Sequence, residues 1–359
     1  MTRRVDVVLP NDIDDPATPS GGNRYDREVC RGLAALGWRV REHAVGGGWP
    51  HPTGSERAGL TQVLASLPDD GLVLVDGMVA AGVPEVLVPH AARLRLVPLV
   101  HMRFGEWQPA LWPGERDVML AAEAVVTTSE WSRGRLVAEY GVADERVRVA
   151  TPGVEPAPLQ PGAADGSRLL SVAAVTHHKG HDLLLDALAT LPDLAWTWVC
   201  VGSLDRDPGF ADYLRGRVRA AGLAGRIDLV GPRTGADLHA RYAAADLLAL
   251  PSRGETYGMV VTEALARGLP VLATAADGVP EALGRTADGS VPGLLVPPED
   301  PIALAAALRR WLTSAELRAE LRASACLRRS SLTGWRTTAK LISDALDSVA
   351  ARTSRDLMR

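Results

Sequence analysis

The stretch PSRGETYGMVVTEALARGLPVLATAADGVPE, residues 251–281, decides how this chain is read. A polar loop closes on Glu255-Thr256-Tyr257-Gly258, and the apolar pattern that follows predicts a helix over residues 259–266, stopped by Gly268 and Pro270. A strand is then predicted over residues 270–274. The helix start becomes a crevice feature, where backbone N–H groups can hold phosphate oxygens. Glu255 before the helix and Glu263 inside it stand eight positions apart, with seven residues between them, and each carboxylate can accept hydrogen bonds from the hydroxyls of a sugar or a ribose.

The same rhythm extends in both directions. Short Val-rich runs recur, each followed by a Gly, Pro, Ser or His turn and a helical pattern, as in parallel sheets built from βα units. Strands are predicted at residues 5–9, 39–44, 73–76, 96–101, 124–128 and 147–150, and again at 169–175, 197–201, 227–230, 246–250, 270–274 and 294–296. Between the two series lies TPGVEPAPLQPGAADGS, residues 151–167, whose proline and glycine density breaks regular structure. The expected organisation is α/β, with Rossmann-like domains over residues 1–160 and 161–335 and a C-terminal helical segment over 336–359.

A length of 359 residues and a hydrophobic content of 47% suffice for two separate cores. A net charge of -4 without a basic stripe argues against nucleic acid as a partner, and the locally basic tail, residues 352–359, reads as a solvated end. Cys30, Cys200 and Cys326 are scattered and odd in number, which fits a reducing cytoplasm and suggests neither disulfides nor structural zinc. The opening MTRRVDVVLPND reads as a first strand and not as a signal peptide, because Asp6 and Pro10 interrupt its apolar run. No segment approaches a membrane span, and peripheral membrane contact is left open without being indicated.

In open parallel sheets, ligands sit beyond the carboxyl ends of the strands, which makes the residues after each strand the candidates. Lys179 lies in SVAAVTHHKGHD, residues 171–182, at a strand-to-helix turn. Only it and Lys340 are lysines among 39 basic Lys and Arg residues, so a composition that otherwise writes arginine keeps a compact ammonium here. Such a point charge can meet a diphosphate. Gly21 and Gly22 follow the first strand and open a helix, where main chain can approach a ligand closely. His101 ends the strand that precedes Met102, and Glu106 and Trp107 follow it; an imidazole there can hold a hydroxyl or share a proton.

The Glu-x7-Glu spelling, with Ala264 and Gly268-Leu269-Pro270-Val271 behind it, resembles family 4 of the retaining glycosyltransferases, and the likeness runs from Gly21-Gly22 through Lys179-Gly180 to Gly278-Val279-Pro280-Glu281. The resemblance implies the GT-B fold, two Rossmann-like domains facing across a cleft with the last helix crossing back onto the first. It implies a nucleotide diphosphate sugar as donor and a hydroxyl-bearing acceptor, with no cofactor and no metal. Carried over residue by residue, it places Glu255 near the donor sugar, Glu263 on the ribose and Lys179 on the diphosphate. Thr256, Tyr257 and Gly258 also fall in the donor site. Gly231-Pro232-Arg233 resembles the segment that meets the base, His101 the histidine lining the sugar and acceptor pocket, and Glu106 and Trp107 fall on the acceptor side. Retention of configuration is implied by the family alone, and the residues leave a front-side displacement and a covalent intermediate equally open. One departure stands out: Ala174 occupies the place of the family's diphosphate arginine, which makes Arg103, Arg133 and Arg253 candidate substitutes.

Asp205-Arg206-Asp207 spells a metal-binding Asp-x-Asp, yet Asp207-Pro208 fits a helix cap better. His177, His178 and His181 lie beside Lys179, whose charge opposes a cation. Trp49, Trp107 and Trp112 serve either an acceptor ring or packing. The rival functions are a non-catalytic bilobal sugar-binding protein and a Rossmann-type dehydrogenase, the latter opposed by the lack of a Gly-x-Gly-x-x-Gly fingerprint. Arginine usage with abundant alanine and glycine points to a GC-rich bacterial source.

Overall fold

A computed structural model describes residues 3–15, 19–160, 162 and 165–356, with side chains through Ala351. The basic side chains of residues 352–359 and linker positions 161, 163 and 164 lie outside the described residues. The chain divides into two compact units, with borders at Gly153/Val154 and Thr333/Gly334. Each unit carries one six-stranded sheet in which every pairing is parallel.

The first unit holds β1 (Arg4–Pro10), β2 (Arg39–Val45), β3 (Leu72–Asp76), β4 (Arg95–Val100), β5 (Val125–Thr127) and β6 (Val147–Val149), in the order β2-β1-β3-β4-β5-β6. β3 and β5 are buried along their whole length, and only their first residues keep β1 and β4 from being so. Burial on both faces is why these strands read as continuous Val-rich runs instead of alternating ones. The helix Trp335–Asp356 belongs to this unit and packs on the helix Gly21–Ala35. Contact between them is close because Gly32 has no side chain, and a Cβ there would stand 2.4 Å from the Ala339 Cβ. Trp38 Nε1 donates to Ser343 Oγ at 2.9 Å and Thr338 Oγ1 to the Thr151 carbonyl at 2.8 Å, so the first half of the helix is anchored at two points. Gly32→Leu is expected to lift this helix, costing about 2 kcal/mol or more from overpacking; limited proteolysis should then cut near residue 334 well before the wild type is cut.

The second unit holds β7 (Arg168–Val172), β8 (Thr197–Val201), β9 (Ile227–Gly231), β10 (Leu247–Leu250), β11 (Val271–Thr274) and β12 (Gly293–Val296), in the order β12-β11-β10-β7-β8-β9. One core on this sheet is built around Trp198 and Trp311, and another around Tyr242, Leu250 and Val261. β7 ends three residues before the predicted limit of 175. The backbone of Ala173 and Val175 still bonds to Val201 and Ser203, but the Thr176 amide turns back to the Ala174 carbonyl and closes a bend. Asp207 caps the helix Pro208–Ala220, its Oδ1 accepting from the Phe210 amide at 3.0 Å. That position of Asp-x-Asp is therefore structural.

Candidate active site

Both sheet orders reverse direction once, between β1 and β3 in the first unit and between β7 and β10 in the second. At such a switch point the two following connections leave on opposite faces and open a crevice at the carboxyl ends of the strands. Lys179 and Glu255 follow the two strands that flank the switch point of the second sheet, Gly21 and Gly22 follow β1 at that of the first, and Gly231-Pro232-Arg233 lie at the end of the edge strand β9.

In the second unit, Lys179 ends a 3-10 turn after β7 and Glu255 lies in the loop after β10. Lys179 Nζ stands 2.6 Å from Glu255 Oε2, with 22% and 17% of the two side chains exposed. Ser252 Oγ donates to the same carboxylate oxygen at 3.4 Å. Glycines hold the two loops together. Gly180 adopts φ +67°, and a Cβ there would fall 2.0 Å from the Pro251 carbonyl oxygen; one on Gly278 would fall 2.1 Å from that of Thr256. The Glu255 amide donates to Asp277 Oδ2 at 2.8 Å, and the Gly278 amide to the Glu255 carbonyl at 3.0 Å. Both the backbone and the carboxylate of Glu255 are thus fixed before any ligand arrives.

The helix predicted over residues 259–266 runs Met259–Leu265, with Gly258 at its cap in the left-handed region (φ +91°). Tyr257 is largely buried in the cluster around Val261, and burial raises its phenol to about 12. Glu263 is oriented by Tyr242, whose hydroxyl donates to Oε2 at 2.9 Å; the Arg267 guanidinium lies 4.3 Å from the centre of the Tyr242 ring. Gly231 ends β9 at φ +73° and accepts from the Gly202 amide at 3.1 Å, while Arg233 Nη1 turns back to the Pro232 carbonyl at 2.7 Å. Tyr242 and Asp277 escaped sequence reasoning because each acts on a partner about 20 positions away.

No candidate substitute for the missing arginine is uncommitted. Arg253 forks onto Asp182 at 2.9 and 2.8 Å and also reaches Glu299 at 2.6 Å. Arg133 is bound to Asp144, and Arg103 to Glu106 and Glu139. The three histidines also separate. His177 meets Phe210 edge-on, whereas His181 stacks on Trp198 in the core, where burial and the Lys179 charge lower it to about 4. Among the described residues they form no common metal site.

In the first unit, Gly21 and Gly22 are the first residues of the helix Gly21–Ala35, capped by Ser20 Oγ on the Asn23 amide. Gly22 faces His101: an added Cβ would come within 3.2 Å of its Cδ2. His101 lies one residue beyond β4, and its Nε2 stands 2.6 Å from Asp26 Oδ1 and 3.6 Å from Asp76 Oδ2. Asp76 ends β3, and its Oδ1 caps the helix Gly77–Gly82 through the Met78 and Val79 amides. The sequence reading missed Asp26 and Asp76, although an acid at a strand's carboxyl end was a usable signal.

Glu106 accepts from Arg103 at 2.7 Å, and Trp107 is 41% exposed on the short helix Phe104–Trp107. Buried Glu115 underpins that helix, accepting from the Phe104 and Gly105 amides at 2.9 and 2.8 Å and from the Tyr140 hydroxyl at 2.6 Å. Trp49 is a core residue whose Nε1 donates to the Val45 carbonyl, so it packs and does not offer a face. Trp112 meets Tyr140 edge-on and is partly exposed.

Residues 161–327 match the family described as glycosyl transferases, group 1. A D-inositol 3-phosphate glycosyltransferase from Catenulispora acidiphila is 32% identical over 275 residues, 71% of this chain and 64% of that protein. One from Salinispora tropica is 32% identical over 66% of this chain and 53% of its own length, so the chain spans between about half and two thirds of these relatives. Among solved structures, the sucrose-phosphate synthase of Thermosynechococcus elongatus superposes with a TM-score of 0.78 at 22% identity, covering 98% of this chain and 100% of that one. The Anabaena protein HepE, solved in complex with UDP-glucose, gives 0.78 at 19% identity over 96% and 99%. These structures share the fold, and the likeness to the family rests on the sequence matches. The chain thus carries two parallel α/β sheets of the GT-B type, and its residues 161–327 are similar to the group 1 glycosyl transferases.

Proposed function

We propose that the protein is a retaining glycosyltransferase that moves a hexose-type sugar from a nucleotide diphosphate sugar to an acceptor hydroxyl. The observation that carries this reading is the Lys179–Glu255 pair at the switch point of the second sheet, 2.6 Å apart on loops locked by glycines. Negative charge grows on the diphosphate as the bond to the sugar breaks, and an ammonium already fixed beside it stabilises that charge without reorganising. A bound diphosphate draws Lys179 from Glu255, which leaves the carboxylate to accept from the sugar's hydroxyls. Glu263, held by Tyr242, is placed to accept from the ribose. Gly231-Pro232-Arg233 presents backbone to the base, with Thr256 and Gly258 lining the donor loop. In the first unit, Gly21 and Gly22 are assigned to donor binding, His101 to catalysis, and Glu106 and Trp107 to acceptor binding.

The proposal includes no cofactor and no metal, and transfer is expected to persist in excess chelator. The test is a panel of UDP-, GDP-, ADP- and dTDP-sugars, scored by thermal shift and by release of nucleoside diphosphate. Stabilisation by one donor class together with slow release supports transferase action. Binding without release in the presence of any acceptor would make the chain a binding protein, and a response to NAD would make it a dehydrogenase. Tyr242→Phe should raise the KM for the donor about three- to tenfold with kcat nearly kept, because the hydroxyl it removes only orients a group that holds ground state and transition state alike.

The HepE complex and the D-inositol 3-phosphate transferases suggest UDP-sugar as the first donor to try and a polyol or sugar as the first acceptor. Among the described residues no helix is long and apolar enough to cross a membrane.

A further inference from the structure

The first unit buries two carboxylates against one imidazole. Asp26 is 1% exposed and Asp76 5%, and the His101 side chain is 15% exposed above them. Asp26 Oδ1 takes the His101 Nε2 contact at 2.6 Å, and Asp26 Oδ2 is buried without a hydrogen-bond partner among the described residues. Nε2 and Oδ1 are too close to be two ligands of one tetrahedral zinc, which would hold them about 3.4 Å apart. What fits between them is a proton.

We propose that Asp26 and Asp76 are positioning residues that keep His101 doubly protonated, so that its second nitrogen, Nδ1, donates a hydrogen bond to a substrate oxygen instead of removing a proton from one. The proposal rests on the transferase reading above and deepens it. Nε2 is engaged by Asp26, and no described residue bonds Nδ1, which leaves Nδ1 as the ring's outward contact. The ring plane is held by Tyr25, whose ring meets it edge-on at 5.0 Å and whose hydroxyl is anchored on the Ala150 carbonyl at 2.7 Å. Gly22 keeps the first turn of its helix clear of the ring.

The charges facing His101 from each packed element are few. Asp26 and Tyr25 come from the helix Gly21–Ala35, and Asp76 from the end of β3. Burial opposes a charge on His101, but attraction to Asp26 and its hydrogen bond, then attraction to Asp76, outweigh it and raise the imidazole above its ordinary value. Burial and repulsion from Asp26 raise Asp76 in turn, and Tyr25 is pushed well up and stays neutral. Attraction to the two carboxylates therefore favours a charged His101, beside an Asp76 that burial raises to about 7. An imidazole already carrying both protons cannot serve as the general base.

The sign of the pH dependence separates the two roles. A donor is lost as pH rises through the imidazole's folded value, whereas a base is gained there. Nitrogen NMR of the full-length protein with labelled histidine should show both His101 nitrogens protonated to a pH above the ordinary imidazole range, and Asp26→Asn should move that titration down by at least about one pH unit, a factor of ten in proton affinity. Asp76→Asn should move it less. In the transferase assay, the high-pH limb of kcat/KM should shift the same way in Asp26→Asn, with partial return in Asp26→Glu. If Asp26→Asn fails to fold, Asp76→Asn carries the same test by direction. A His101 titration that is ordinary in the wild type, or unmoved in both variants, overturns the inference whatever the enzyme assay shows. An activity that rises through that titration assigns the base role instead. A protein that releases no nucleotide with any donor, yet holds His101 charged, would remove the transferase reading and leave the cluster standing.

Discussion

Lys179→Ala is expected to lower kcat/KM for the nucleotide sugar by about 100-fold, the scale on which loss of one preorganised charge-stabilising group is felt. The variant should remain folded. Lys179 and Glu255 are each about one fifth exposed, and without the ammonium the Glu255 carboxylate keeps the Ser252 hydroxyl and its access to water, which limits the cost of leaving it unpaired. A melting temperature within a few degrees of wild type, with turnover nearly gone, is therefore the expected pattern. Lys179→Arg should not restore activity. A planar guanidinium needs more room than an ammonium, and Gly180 brings the Pro251 carbonyl against this turn. Wild-type turnover in Lys179→Ala would remove the diphosphate role.

The second large effect is on stability. Gly180→Ala places a Cβ 2.0 Å from the Pro251 carbonyl oxygen, at a residue with φ +67°. Backbone cannot yield as a flexible side chain does, and the left-handed conformation adds its own cost for a residue with a Cβ. The expected loss is about 2–4 kcal/mol, read as a lower urea midpoint with an unchanged slope. Because the Pro251 end of β10 leads directly to Glu255, the surviving folded protein should also lose donor affinity. Gly222→Ala makes a suitable control, since it too has a positive φ, +69°, but no atom lies within 4 Å of the added Cβ. If Gly180→Ala were no less stable than this control, the close approach would not matter.

These two glycines also show what was legible in the sequence. Lys179-Gly180 could be placed at a strand-to-helix turn because Val-rich runs buried on both faces announce parallel strands, and the residues after them announce the crevice. All twelve predicted strands are present, with limits shifted by a few residues. The longest shift, at β7, follows from a bend that depends on backbone bonds to β8 and its loop, and no local pattern encodes that. The fate of the spare arginines was equally hidden. Arg253 looks uncommitted in the sequence, and only the fold brings Asp182, 71 positions away, within 2.8 Å.

The acids of the first unit illustrate the same limit. Asp26 sits five residues into a helix, where a polar residue ordinarily faces water, and Asp76 looked like a simple strand end. Their meaning arises from the sheet order, which sets β1, β3 and β4 side by side and so turns their following segments toward one point. The Glu255 and Glu263 pair was easier, since both lie within one loop and helix. Tyr242, which orients Glu263, comes from the preceding helix Gly235–Ala244 and is visible only in three dimensions.

The claim on which the account turns is that Lys179 grips the diphosphate while Glu255 reads the sugar, and calorimetric titration of the bare nucleoside diphosphates tests it most directly. At least one of UDP, GDP, ADP and dTDP should bind the wild type, bind Lys179→Ala at least about tenfold more weakly, and bind Glu255→Ala as well as or better than wild type, because the ammonium no longer has a carboxylate to leave. Equal affinity for that diphosphate in wild type and Lys179→Ala, or no binding of any of the four, would contradict it.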